Sequence, residues 1–349
     1  MIDFTRAQLT HFYVGFVGNK GLGEELTLSQ NEFILSDDFL KETLMRYFTG
    51  AFKTDIYYQF KGKVDVSLAS VANACEDVFG NQKLFAEKLK DIGHHLYNQS
   101  IHPKINGGDF FGCYFTDVML DGELCDAIGL FKCENKETFL KVYQHLDEFE
   151  VNYENGININ KLDKGCLVFN TDKNNGYKLS VVDNNNKYAE CAAYWEEDFL
   201  NVKLKSNAYY HTKNFMDMSR GFCEEVLTEA NNVDKQNQMM MLNKSASYFK
   251  DKNHVTVKDF EKEVLVEPEV ISVFKDYRAN YNDKLNLTAV EEFDVSNTAV
   301  KKNAKYMRSI VKLDKNFHIY IHSKHEYIER GFDEERGLKY YKLYYVTES

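Results

Sequence analysis

Between Ala299 and His325 the chain gathers Lys301, Lys302, Lys305, Arg308, Lys312, Lys315 and Lys324 against a single acid, Asp314. This stretch of net +6 lies in a chain of net charge −11, so everything outside it sums to −17. A local basic stripe on an acidic protein is the footprint expected of a nucleic-acid or polyanion contact. Tyr306, His318 and Tyr320 are interleaved with the cations and offer rings on which bases could stack. The same run also reads as a solvated strand face beside a lysine-rich turn, which is what most charge runs are.

No other residue pattern points to catalysis. The chain has no GxSxG, HExxH or Walker loop, and no GxGxxG following a strand. Glu134-Asn135-Lys136 and Glu196–Lys203 are acid-and-lysine strings of the kind a metal-dependent nuclease uses, but such strings arise by chance in any charged chain. His94, His95 and His102 lie close in sequence, yet adjacent helical residues diverge by about 100°, and helix-end histidines meeting the dipole are the simpler reading. His318 and His322 are four apart on a strand, about 13 Å, too far to share an ion with His325. The expectation is a non-enzyme with neither metal nor cofactor.

The elements that position these residues fall into an α+β pattern: a mostly antiparallel sheet domain with helices over 1–193, a helical module and linker over 194–296, and a small basic C-terminal β section over 297–349. In the first part, HFYVGFVGN reads as a strand, and Gly18 to Gly23 as a hairpin-type turn into ELTLSQ. Asp37–Phe48 reads as a helix behind acidic caps, followed by helices over Val71–Phe79 and Gln82–Tyr97. The string GDFFGCYFTDVML, the pair Asp121-Gly122 and ELCDAIGLFK together spell a hairpin. Strands are expected at Gly156–Lys161, Cys166–Asn170 and Tyr177–Val182, with one helical insertion at Lys136–Phe149. Helices follow at Trp195–Leu200, Tyr209–Ala230, Asp234–Phe249, Val257–Val264 and Glu269–Tyr281, then a polar linker, Asn282–Ser296. Tyr306–Leu313, Phe317–His322 and Leu338–Val346 form the last three strands.

With 349 residues, 44% of them hydrophobic, 26 Phe, 23 Tyr and only two Pro, the chain can bury a sizeable core. No apolar run approaches the ~20 residues of a membrane span, and the N-terminus lacks the order of a secretory signal. Seven Cys form no CxxC pair and mostly sit in apolar strings, as core residues of a reduced, cytoplasmic protein do.

The strings GDFFGCYFTDVMLDGELCDAIGLFKCENKETFLKV, GININKLDKGCLVFN, YWEEDFL, HTKNFMD, AVKK, VKLDKNFHIYIH and LKYYKLYY resemble the bacterial 37-kDa nucleoid-associated protein family, in the form found in Bacteroides-like bacteria. The similarity covers essentially the whole chain and is stronger over 108–349. The resemblance implies a cytoplasmic protein of the nucleoid that associates with DNA and carries no established catalysis. It transfers no residue-level contacts, so the DNA-binding assignment of Lys301, Lys302, Lys305, Arg308, Lys312 and Lys315 rests on charge. The expected contact is with double-stranded DNA, without sequence preference, weak and salt-sensitive because few cations are gathered. A homodimer would double the stripe across its twofold axis. The other readings are a protein–protein adaptor that docks on a DNA-bound enzyme, and an unrecognised metal-dependent nuclease.

Overall fold

The computed structural model describes residues 2–347 except 54, 62–70, 185–193, 229, 230, 232, 234, 286, 308, 314–316 and 322–326. The chain divides into two compact units, Met1–Lys205 and Ser206–Ser349.

In the first unit, long alternating strands rich in Phe, Tyr, Val and Leu build one antiparallel sheet. Its strands are β1 (Ile2–Asp3), β2 (Gln8–Val17), β3 (Leu26–Leu28), β4 (Tyr58–Phe60), β5 (Gly108–Leu120) and β6 (Glu123–Cys133). A separate ribbon, β7 (Glu137–His145) with β8 (Glu148–Gly156), precedes β9 (Lys164–Phe169), β10 (Lys178–Asp183) and β11 (Val202–Leu204). The order across the sheet is β11-β4-β10-β9-β6-β5-β2-β3, with β1 beside β5. The Asp121-Gly122 turn joins β5 to β6 as expected; φ is +51° and +95° at these residues, the left-handed pair that a two-residue hairpin loop requires.

Alternation gives the sheet two apolar faces. Tyr13, Leu130, Cys166 and Leu179 pack beneath α2 (Val71–Gly80), α3 (Phe85–Gln99) and a π-helical turn, Tyr194–Phe199. Phe85, Leu89, Ile92 and Leu96 form the buried stripe of α3, at the spacing of a 3.6-residue helix. On the other face Phe12, Phe111, Phe131 and Phe169 meet Phe48 of α1 (Asp38–Thr49), whose ring lies 4.3 Å from that of Phe131. Each buried Phe contributes on the order of 1.5–3 kcal/mol.

Two elements of the first unit differ from the sequence-based expectation. Lys136–Phe149 is strand, turn and strand rather than helix. Phe139, Val142, Tyr143 and Leu146 do satisfy a helical period, but Thr138, Val142, Val151 and the aromatic residues favour a pleat, and the φ of +57° at Leu146 lets the chain reverse. Gly156–Lys161 is not a strand beyond Gly156, because Asn158 Oδ1 accepts the amide of Asn160 (3.0 Å) and turns the backbone.

The second unit contains α4 (Ala208–Gly221), α5 (Lys235–Asp251), α6 (Val257–Phe260), α7 (Pro268–Lys284) and α8 (Asn297–Asn303). Phe215, Phe222, Phe249, Phe260, Phe274 and Phe293 interlock at its centre. The expected linker Asn282–Ser296 holds the last turn of α7 and a strand, β13 (Glu292–Asp294), paired with β12 (His254–Thr256). A three-residue strand with one buried residue, Phe293, leaves too short a pattern to recognise. The hairpin β14 (Ser309–Leu313) and β15 (Phe317–Ile321) forms as expected. Leu338–Leu343 instead becomes β17 and pairs with β16 (Ile328–Asp333) in a hairpin of its own.

Candidate functional site

Lys301 and Lys302 occupy the last turn of α8, ahead of the C-terminal strands. Ser296 starts this helix: its Oγ accepts the amide of Ala299 (3.2 Å), while its own amide donates to Thr212 Oγ1 on α4 (3.0 Å). Ala299, Val300 and Asn303 are buried, and the Asn303 side-chain amide closes the helix by donating to the Ala299 carbonyl (2.8 Å). With those three positions turned inward, Lys301 and Lys302 are left on the exposed side. Neither meets a carboxylate among the described residues. Cations in a last turn also face the negative end of the helix dipole.

Tyr306 follows on the turn Ala304–Tyr306, about half exposed, with the Arg220 guanidinium of α4 at 5.6 Å from its ring centroid. Arg220 is also 3.4 Å from Asp217, which Lys213 reaches at 2.7 Å. The structure thus brings Lys301, Lys302, Tyr306 and Arg220 onto neighbouring elements, and Arg220 is the member the sequence reading missed. Of the other expected contacts, Arg308 and Lys315 lie outside the described residues, as do the side chains of Lys305, Lys312, His318 and Tyr320.

A second polar constellation is buried in the first unit. One row of directly opposed residues crosses the sheet: Asp183 on β10, Lys164 on β9, Lys132 on β6, Phe110 on β5 and Gly15 on β2. The side chain of Lys132 is fully buried and that of Lys164 is 3% exposed. Lys132 Nζ donates to the Asn106 carbonyl (2.7 Å) and lies 3.2 Å from Glu134, and Lys164 Nζ meets Asp183 at 2.7 Å. The Tyr194 hydroxyl donates to Glu134 (2.8 Å), and both ammonium groups lie over the Tyr194 ring. Burial pushes the Lys132 ammonium below its ordinary pKa, with the charge of Glu134 opposing.

Two cations and two carboxylates thus neutralise one another away from water, and the arrangement fastens the Tyr194–Phe199 turn to the end of the sheet. The sequence signal for it is a lysine inside an apolar string, in GLFKC and again in DKGCLVF. Among the described residues no three His, Cys, Asp or Glu side chains come close enough to hold a metal ion. Glu134 is locked to Lys132 and Tyr194, while Lys136 pairs with Asp109 (3.0 Å).

Other residues singled out by the sequence have structural partners. His95 Nε2 lies 3.0 Å from the Phe199 carbonyl. Asn19, buried in the turn after β2, donates to the carbonyls of His102 (2.8 Å) and Ile105 (2.6 Å). Of the six described cysteines, five are buried and Cys125 is half-buried; all are free thiols. No helix among the described residues is long and apolar enough to cross a membrane.

A family model described as nucleoid-associated protein YejK matches residues 17–336. No curated protein matches the chain.

Proposed function

Because the chain belongs to the nucleoid-associated protein YejK family, we propose that it acts on the bacterial nucleoid in the cytoplasm as a non-catalytic DNA-binding protein. The contact runs along Lys301, Lys302, Lys305, Arg308, Lys312 and Lys315, with Tyr306, His318 and Tyr320 as stacking rings. The observation that carries this reading is the exposed pair Lys301 and Lys302, with no carboxylate partner among the described residues, on a helix held firmly by Ser296 and Thr212. Several lysines elsewhere are ion-paired, as in Lys88–Asp77, Lys178–Asp121 and Lys252–Glu263. Cations without acidic neighbours are the ones able to replace counterions on phosphates.

Phosphate contacts position a protein without reading sequence, so binding is sequence-tolerant. It is also weak, since the −17 charge of the remaining chain opposes it. Fluorescence anisotropy against a random 30-mer duplex over a range of salt tests the reading. Log affinity should fall linearly with log salt, with a slope of about −0.9 for each of roughly four to six phosphates. Absence of binding at the lowest salt would overturn it.

The same acid excess favours a second reading, an adaptor that docks on a basic DNA-bound enzyme. A partner retained after nuclease digestion, together with no direct binding to the duplex, would select the adaptor.

A further inference from the structure

The ribbon of β7 and β8 has a face that ought to be covered. In register, Leu140 opposes Tyr153, Val142 opposes Val151 and Gln144 opposes Phe149, with Thr138 opposite Asn155 beyond them. Directly opposed residues share a side of a pleat, so these eight side chains form one face, and none of them is charged. Leu140, Val142, Phe149, Val151 and Tyr153 are each between 61 and 74% exposed. Every charged residue of the two strands lies on the reverse face: Glu137, Lys141, Glu148, Glu150 and Glu154, with Lys141 ion-paired to Glu154. An isolated two-stranded hairpin is marginal in water, and an amphipathic one is expected to lay its apolar face on something. Here that face carries five large side chains turned to solvent.

We propose that this face packs against the same face of a second copy of the chain, ribbon on ribbon, about a twofold axis. Electrostatics selects the occupant. A face without cations has nothing to offer DNA, and a charged protein surface would lose hydration against it without a compensating partner. A second uncharged, apolar and equally pleated face matches it, and a twofold arrangement is isologous by construction. Stacking at about 10 Å turns the acidic faces of both ribbons outward, away from each other.

The contact is small. Nine residues per strand and two strands give a footprint of about 30 Å by about 10 Å, on the order of 300 Å² per copy against ~800 Å² in a standard interface. Association is therefore reversible and concentration-dependent. It needs no DNA and does not depend on the nucleic-acid reading.

Sedimentation velocity of the full chain, free of DNA, from about 1 to about 100 µM tests this, a range that brackets a weak interface. The weight-average sedimentation coefficient should rise with concentration. In the variant L140T/V142T/F149T/V151T, which keeps strand propensity while removing the apolar face, dimerisation should weaken at least tenfold with the melting temperature unchanged. Amide exchange of wild-type residues 138–155 should slow as concentration rises, a readout that needs no variant to fold. A wild-type protein monomeric throughout, unchanged exchange in the ribbon, or a threonine variant that dimerises as tightly as wild type would each overturn the proposal.

Discussion

Lys132 and Lys164 stand directly opposite each other on adjacent strands, and their ammonium groups lie 5.6 and 5.1 Å from the centre of one ring, that of Tyr194. Two like charges this close and this buried persist because Glu134 and Asp183 are built in beside them. Removing one charge of such a set strands its partner. Glu134→Gln should therefore destabilise the protein by about 3–5 kcal/mol, whereas Lys132→Met, exchanging the ammonium for an apolar chain of similar length, should cost less in a Glu134→Gln background than in wild type. A double-mutant cycle in urea measures both.

The lowered pKa of Lys132 gives a pH signature. Its folded-state pKa lies below the unfolded value near 10.5, so the unfolded chain binds more protons between the two. Stability from this group consequently rises with pH across that window and is level above it. The stability of wild type minus that of Lys132→Met should climb as pH approaches 10.5 from below; a flat difference in denaturant titrations would remove the buried ammonium from the account.

Lys301→Ala with Lys302→Ala should leave the fold intact, since neither side chain has a carboxylate partner among the described residues. If each contacts one phosphate, the salt slope should drop by about 1.8 in anisotropy titrations. A slope unchanged in the folded double variant would move the DNA contact elsewhere.

Thr212→Val tests whether helix position matters to that contact. It removes the acceptor of the buried Ser296 amide and should cost about 1–3 kcal/mol. A protein that still binds DNA with wild-type salt slope would show that the α8 anchor contributes stability alone.

Gly21→Ala should be strongly destabilising, because a Cβ there would sit 2.1 Å from the Ile101 carbonyl oxygen. Thermal unfolding against the neutral Gly80→Ala, where nothing lies within 4 Å, isolates the effect.

The sheet was legible where strands are long: the turn at Asp121-Gly122 and the alternation of Phe110 to Leu120 left little choice. Three-residue strands such as Glu292–Asp294 were not, since one buried Phe293 carries no period. The ribbon carries a helical signal because Phe139, Val142, Tyr143 and Leu146 fall at a 3.6-residue period, whereas the pleat uses the alternation Leu140, Val142 against Val151, Tyr153 across the turn. The charge of the C-terminal stretch was plain in the sequence, but not its division among a helix, a turn and a hairpin, which depends on Ser296 and Thr212 meeting across 84 residues. The position of Arg220 beside the Tyr306 ring comes from a helix distant in sequence and could not be seen from the stripe.

The place of β4 in the sheet has a consequence for synthesis. Tyr58 pairs with Leu179 on one side and Leu204 on the other, so a strand made early is held between strands made late. Loop closure over such separations is slow and comes late in folding. During translation at ~5–20 residues per second, β4 waits roughly 7 to 30 s between its own synthesis and that of Leu204. For that interval β4 is without the strands that flank it in the finished sheet, and its backbone amides and carbonyls have no ladder to join.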